Sequence, residues 1–207
     1  MVDGFHRQSA LASLGLYARP RPDQKAGVRM GERPFHTMIG LRGDPDDAAF
    51  LNATKKAMGL PLPLTANTTT GKGRITALWM GPDEWLIAAV ADGGGKIIFS
   101  LEKSLADLLA AVFDVSDSRT IIELSGKHAR HVLMKGCAID FHPRAFGPGQ
   151  CVQSTLALAH VLIHQTAQNK RTRAPTYNIY VHRSFAEYLW TWLEDAAGEY
   201  GVEITVA

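Results

Sequence analysis

The side chains with the widest chemical reach crowd into one stretch, where His128, His131, Cys137, His142 and Cys151 supply imidazole and thiol groups. Such groups bind zinc, iron or copper when they converge. Structural zinc sites usually present close pairs such as C-x-x-C, whereas thirteen residues separate Cys137 from Cys151. That spacing argues against a structural zinc site and for two cysteines buried as small hydrophobes. A cysteine nucleophile needs a lowered thiol pKa and a positioned base, and Cys137 with His142 and Lys135 is the available set. No third, orienting group accompanies them in the sequence. Gly93-Gly94-Gly95-Lys96 lacks the G-x-x-x-x-G-K-[ST] frame of a phosphate loop and reads as a turn. Lys170-Arg171-Thr172-Arg173 reads as the solvated tip of a hairpin, with partner docking as the second reading.

Composition excludes little but points one way. The 207 residues are 46% apolar and 20% charged, with a formal charge of +2, which gives no electrostatic case for nucleic acid. Asp3, His6 and Arg7 interrupt the region where a secretory signal needs a continuous apolar stretch, and no apolar run reaches membrane-spanning length. Two cysteines cannot build a disulfide framework. These features predict a cytoplasmic protein without nucleic-acid or membrane partners.

Arg19-Pro20-Arg21-Pro22 and weak apolar periodicity predict an extended arm over residues 1–33, either lying across another subunit or an ordinary frayed terminus, and a folded body over 34–207. Phe35 to Leu41 reads as a strand, followed by a helix with Asp44 as N-cap, Pro45 in its first turn and Ala48, Leu51 and Met58 on its inner face. Arg74 to Met80 and Trp85 to Ala91 flank Gly81-Pro82-Asp83-Glu84 as a hairpin. Leu101, Leu105, Leu108, Leu109 and Val112 then repeat at helical spacing.

The second half opens with a strand over Thr120 to Leu124, the turn glycine Gly126 and a helix using Ala129, Val132 and Leu133. Strands over Val152 to His164 and Tyr177 to Val181 precede a helix whose Ser184 and Glu187 form a capping box. Its inward stripe is Phe185, Leu189, Trp192, Leu193 and Ala196, and Val202 to Val206 closes the chain as a strand. Trp190 falls off the centre of that stripe and reads either as an outward interface anchor beside Tyr188 or as a second, flanking core contact. Arg144 and Phe146, in a loop rich in His, Arg and Pro, are the other interface candidates. Pairing of that loop with the first repeat is the competing explanation.

Leu41-x-Gly43 matches Leu124-x-Gly126 at an offset of 83 residues, and Ser100-Leu101 matches Ser184-Phe185 at an offset of 84. Near-equal offsets at both ends predict a duplicated strand-helix-hairpin-helix unit, with pseudo-repeats over about 35–113 and 114–207. The fold class is α+β. Its connections are too short for many parallel crossovers, so mostly antiparallel sheets covered by helices are the layering expected.

Five motifs together carry a family resemblance. They are Gly81-Pro82-Asp83-Glu84-Trp85-Leu86-Ile87, Asp114-Val115-Ser116-Asp117-Ser118-Arg119 with Leu124-x-Gly126-x-x-Ala129, Lys135-Gly136-Cys137, Asp140-x-His142-Pro143-Arg144-x-Phe146, and Arg183-Ser184-Phe185-Ala186-x-Tyr188-Leu189-Trp190. The folded body resembles the gamma subunit of heterotetrameric sarcosine oxidase and, more distantly, the folate-binding domain of the glycine-cleavage aminomethyltransferase. The resemblance implies an internally duplicated fold in an accessory subunit with no catalytic, cofactor-binding or metal residues of its own. The complex it implies oxidatively demethylates sarcosine to glycine, passes the one-carbon unit to tetrahydrofolate and produces hydrogen peroxide. FAD, FMN, NAD and tetrahydrofolate are then expected on other subunits, with the alpha, beta and delta subunits as partners. Lys135-Gly136-Cys137 is similar to a motif of folate-dependent iron-sulfur assembly factors, but the residues that follow, Ala138 to His142, depart from that pattern. A stand-alone folate-binding aminomethyltransferase-like protein is the alternative reading. A chain ending at Ala207 is expected to lack the further domain of such transferases.

Overall fold

A computed structural model describes residues 7–19, 26–90 and 94–205. After β1 (Val28–Glu32), the first half runs β2 (Thr37–Gly43), α1 (Ala48–Met58), β3 (Thr69–Lys72), β4 (Ile75–Gly81), β5 (Glu84–Ala89), α2 (Gly94–Leu105) and β6 (Ala110–Asp114). The second half repeats that order with β7 (Arg119–Ser125), α3 (Ala129–Met134), β8 (Cys151–Leu156), β9 (Ala159–Gln168), β10 (Pro175–His182), α4 (Ala186–Ala197) and β11 (Val202–Thr205). Each half builds its own sheet, ordered β3-β4-β5-β2-β6 in the first and β8-β9-β10-β7-β1-β11 in the second. The two orders coincide once β1 is set aside. It wedges between β7 and β11, antiparallel to the first and parallel to the second. The repeat unit is therefore a strand, a helix, a three-stranded meander, a helix and a closing strand, which is fuller than a hairpin alone.

Alternation along the strands creates a four-layer stack. One face of the first sheet, with Ile39, Leu41, Trp85 and Ile87, packs on Phe50 and Met58 of α1 and Leu101 and Leu105 of α2. One face of the second sheet, with Ile122, Leu124, Ile163, Tyr177 and Ile179, packs on α3 and α4. The remaining faces meet each other, Met38, Leu78, Leu86 and Ala88 against Ile121, Cys151, Leu162 and Tyr180. Both sheets are thus buried on two sides, and helices supply the outer layers.

Several sequence expectations need correction. The folded body does not begin at Pro34: β1 is an interior strand, and Leu11 and Leu16 are buried in the same core as α4. Arg19 Nη1 donates to both carboxylate oxygens of Glu194 on α4, at 2.6 and 2.7 Å, so the described part of the arm lies on its own chain. Residues 1–6, 20–25, 91–93 and 206–207 lie outside the described residues. Helix α1 starts later than expected, because Asp47 accepts from the Ala49 N–H at 2.8 Å while Asp44 accepts from the Asp46 N–H in a preceding turn. Ala48 is exposed, and Phe50, Thr54 and Met58 form the inner face.

The helical spacing of Leu101 and Leu105 does not continue. Helix α2 ends at Leu105, Val112 lies in β6, and Leu109 in the connecting turn is 96% exposed. Val152 to His164 is two strands, turned at Ala157, which has a positive φ of 52°. No capping box forms at α4: its N-cap Phe185 makes no side-chain cap bond, and Glu187 instead accepts from the Ser13 hydroxyl. Glycines at the repeat's matching turns serve different ends. Gly126 takes a φ of 116°, and a Cβ there would lie 2.5 Å from the Gly27 carbonyl oxygen. At Gly43 a Cβ would instead meet the Phe50 ring.

Candidate functional site

The thiols and imidazoles that crowd together in sequence are dispersed by the fold. Cys151 lies between the sheets, its Sγ 3.4 Å from the Thr68 carbonyl oxygen, and burial pushes its thiol up to about 11. A thiol so placed stays protonated at neutral pH and cannot act as a nucleophile or a ready ligand. Cys137 is also buried, with Sγ 3.5 Å from the Ser154 hydroxyl. Its proposed base faces elsewhere: His142 Nδ1 accepts from the Arg144 N–H at 3.2 Å. Lys135 is engaged too, donating to the Ala196 carbonyl at 2.5 Å and to the Glu199 carboxylate. Among the described residues no three His, Cys, Asp or Glu side chains converge in a metal-ligand geometry.

His128 and His131 form a different kind of cluster. Their Nδ1 atoms are 3.2 Å apart, and the His128 ring stacks on Tyr200 at 4.4 Å between centroids. Lys135 Nζ lies 5.0 Å from the centroid of the same Tyr200 ring. Together these side chains hold α3 against the end of α4, with Lys135 satisfying a last-turn carbonyl.

Residues 137–150 are ordered from within. Asp140 accepts from the His142 N–H at 2.8 Å, the His142 carbonyl accepts from the Ala145 and Phe146 N–H groups, and Gln150 accepts from the Gly147 N–H. Phe141 meets Phe146 edge-on at 5.6 Å, and Phe146 stacks on Tyr177 at 6.4 Å. Phe146 is therefore a core anchor and not an interface residue. The far end of the loop pairs with the first repeat, as the Gly149 carbonyl accepts from the Thr69 N–H and the Asn67 carbonyl from the Cys151 N–H, both at 2.9 Å. Trp190 is corrected likewise: it is 0% exposed, because Ala186, Leu189, Trp190, Leu193, Ala196 and Ala197 form the buried stripe of α4. Trp192 and Phe185, read as part of that stripe, are only half-buried and exposed. Of the three interface candidates Arg144 alone is on the surface.

Two clefts share one residue that sequence reading treated only as the end of a motif, Arg119. The first, of about 320 Å³, is lined by Arg7, Glu32, Asp117, Arg119 and Arg183 among others. There Glu32, nearly buried, accepts from the hydroxyls of Ser9 and Thr120, the latter at 2.7 Å. The second, of about 580 Å³, is lined by Arg119, Gln153, Ser154, Thr155, His160, Val161 and His182. Arg119 is half-buried and, among the described residues, makes no side-chain hydrogen bond or ion pair. Its alternation with Ile121 is a signal that sequence could have supplied, since a cation two residues before a core position shares that position's face. A third feature is apolar: Leu109, just before the edge strand β6, and Phe113, within it, are exposed, and Phe99 projects from α2. Such exposed apolar side chains favour association over catalysis.

A family described as "Sarcosine oxidase, gamma subunit family" matches residues 42–199. A sarcosine oxidase subunit gamma of Corynebacterium sp. (strain P-1) is 37% identical over 177 residues, covering 85% of this chain and 83% of that one. A sarcosine oxidase subunit gamma of Arthrobacter sp. is 35% identical over 174 residues, covering 84% and 81%. Among solved structures, a chain of the heterotetrameric sarcosine oxidase of Corynebacterium sp. U-96, in complex with pyrrole 2-carboxylate, superposes with a TM-score of 0.84. It is 31% identical and covers 94% of this chain and 96% of that one. The glycine cleavage system aminomethyltransferase T of Bartonella henselae superposes with a TM-score of 0.63 at 15% identity, covering 87% of this chain and 48% of that one. That last likeness is one of fold.

Proposed function

Because this chain belongs to the sarcosine oxidase gamma subunit family, we propose that it is the accessory, non-catalytic gamma subunit of a heterotetrameric sarcosine oxidase. The observation that carries the reading is near-complete superposition on a chain of such an enzyme. In this reading the assembly oxidatively demethylates sarcosine to glycine, transfers the one-carbon unit to tetrahydrofolate and releases hydrogen peroxide. FAD, FMN, NAD and tetrahydrofolate belong to the alpha, beta and delta subunits, and the complex works in the cytoplasm.

The interior supports this division of labour. Both thiols are buried, and Cys137, His142 and Lys135 each have partners other than one another. A stand-alone folate-binding transferase finds less support, since the likeness to an aminomethyltransferase is architectural. Arg144 remains the proposed contact to another subunit, exposed on a loop that Phe141 and Phe146 hold rigid.

Affinity purification of the tagged chain from its native host tests the proposal. Recovery of a flavin-coloured complex that oxidises sarcosine is the result expected; recovery of the colourless chain by itself would contradict it. Calorimetric titration of the isolated chain with tetrahydrofolate separates the alternative, which requires micromolar binding.

A further inference from the structure

The face of the second sheet that meets the first sheet ends in a row of polar side chains. Strand pairing sets Ile121, Tyr180, Leu162 and Gln153 side by side on β7, β10, β9 and β8. Three of these belong to the closed layer between the sheets, and Gln153 Nε2 donates to the Met80 carbonyl across it at 2.7 Å. Two residues along each strand, on the same face, the next row reads Arg119, His182, His160 and Thr155. Arg119 opposes His182, His160 opposes Thr155, and the β9–β10 register carried one step further brings the two histidines together. This row, with Ser154, lines the larger cleft.

A protonated histidine directly opposite Arg119 would be repelled by it, so the row carries a second positive charge only when something offsets the pair. Arg119 is permanently charged and, among the described residues, has no side-chain partner. Glu84, the carboxylate that acts on it electrostatically, is committed to Arg42 at 2.7 Å. His182 is held below its ordinary pKa, first by burial and then by Arg119 and His160.

We propose that the row Arg119–His182–His160–Thr155 binds a carboxylate, supplied by an acidic side chain of another subunit. This rests on the assembly function proposed above. A guanidinium fork beside one imidazole, with a second imidazole and a hydroxyl further along the row, matches a planar, singly charged carboxylate. A dianionic phosphate would ask for more than one permanent cation. Docking a carboxylate beside His182 favours its protonated form, so the bound state takes up a proton.

The test uses the full chain titrated with acetate, followed by nuclear magnetic resonance of the histidine and arginine side chains. Saturable shifts are expected for Arg119, His160 and His182, with affinity rising about threefold from pH 8 to pH 6, the share of the tenfold limit for roughly one unit of pKa coupling that a histidine held below 6.5 reaches by pH 6. Arg119→Met should weaken binding at least about tenfold, a loss typical of one charge-assisted pair. Arg119→Lys and His182→Gln, which keep the shape of the row, serve if Arg119→Met fails to fold. Absence of saturable shifts, or unchanged affinity in every variant that folds, would overturn the site. In the reconstituted complex, acetate and Arg119→Met should each weaken association. Unchanged association beside intact acetate binding would overturn a subunit as the source and leave a free carboxylate. Failure of the wild-type chain to assemble would count against the assembly function alone, since the acetate titration does not depend on it.

Discussion

Cys151 and His164 stand directly opposite each other on β8 and β9, and both are shut away from solvent between the two sheets. The thiol is pushed up to about 11 by burial, and its hydrogen-bonding contacts are backbone carbonyls. In native protein at pH 8 a thiol reagent such as Ellman's should therefore leave Cys151 unmodified for hours, while both cysteines react at once in denaturant. Rapid modification of Cys151 in the native state would contradict its placement.

His164 makes stability depend on pH. Burial lowers its pKa from 6.5 to about 4, so between those values the unfolded chain binds a proton that the folded chain does not. Stability is then highest above pH 6.5 and falls as the pH drops toward 4. The loss between pH 7 and pH 5 should be about 2 kcal/mol, read from urea unfolding at each pH. His164→Gln should remove that part of the slope.

Trp190 distinguishes a core from an interface. Trp190→Ala should cost about 3–5 kcal/mol of stability in the isolated chain, whereas an interface tryptophan would weaken only assembly. Among the described residues its Nε1 has no hydrogen-bond partner, so Trp190→Phe should be far milder. Calorimetric melting of the two variants makes the comparison.

Gly126→Ala should destabilise by roughly 2 kcal/mol or more. It combines a left-handed backbone with a Cβ 2.5 Å from a fixed carbonyl. Gly43→Ala should cost less, because there the neighbour is a ring that can turn. Urea midpoints for the two variants should therefore differ despite their equivalent places in the repeat.

Leu11 tests whether the N-terminal segment belongs to the fold. It is 1% exposed, so Leu11→Ala should cost about 2–4 kcal/mol. An extended, detached arm would tolerate the change within about 0.5 kcal/mol, again by chemical unfolding.

The repeat was legible because like elements recur at like distances: Leu41-x-Gly43 and Leu124-x-Gly126 both close the first strands of their repeats. The alternation of Ile121 with Ile122 and Leu124 carried less information, since a strand buried on both faces reads as one apolar run. β1 was missed because Val28 to Glu32 is short and contains Gly31, and its pairing depends on β7 and β11, far along the chain. Leu109 was misread because apolar spacing cannot show where a helix stops. The crowd of His and Cys residues suggested a site that the fold takes apart, while Arg119 gained its surroundings from four strands that only tertiary pairing brings together. The exposed Arg144 was recognisable as a polar loop residue, but the burial of Phe146 and Trp190 depends on aromatic and helical partners distant in sequence.

The central claim is that this chain works as a structural member of an oxidase assembly. Its most direct test is native mass spectrometry of the chain co-expressed with its alpha, beta and delta partners, paired with sarcosine-dependent peroxide production. A complex containing one copy of each chain, active with sarcosine, is the predicted result. An active oxidase that forms without this chain, with the chain itself left unassociated, would contradict the account.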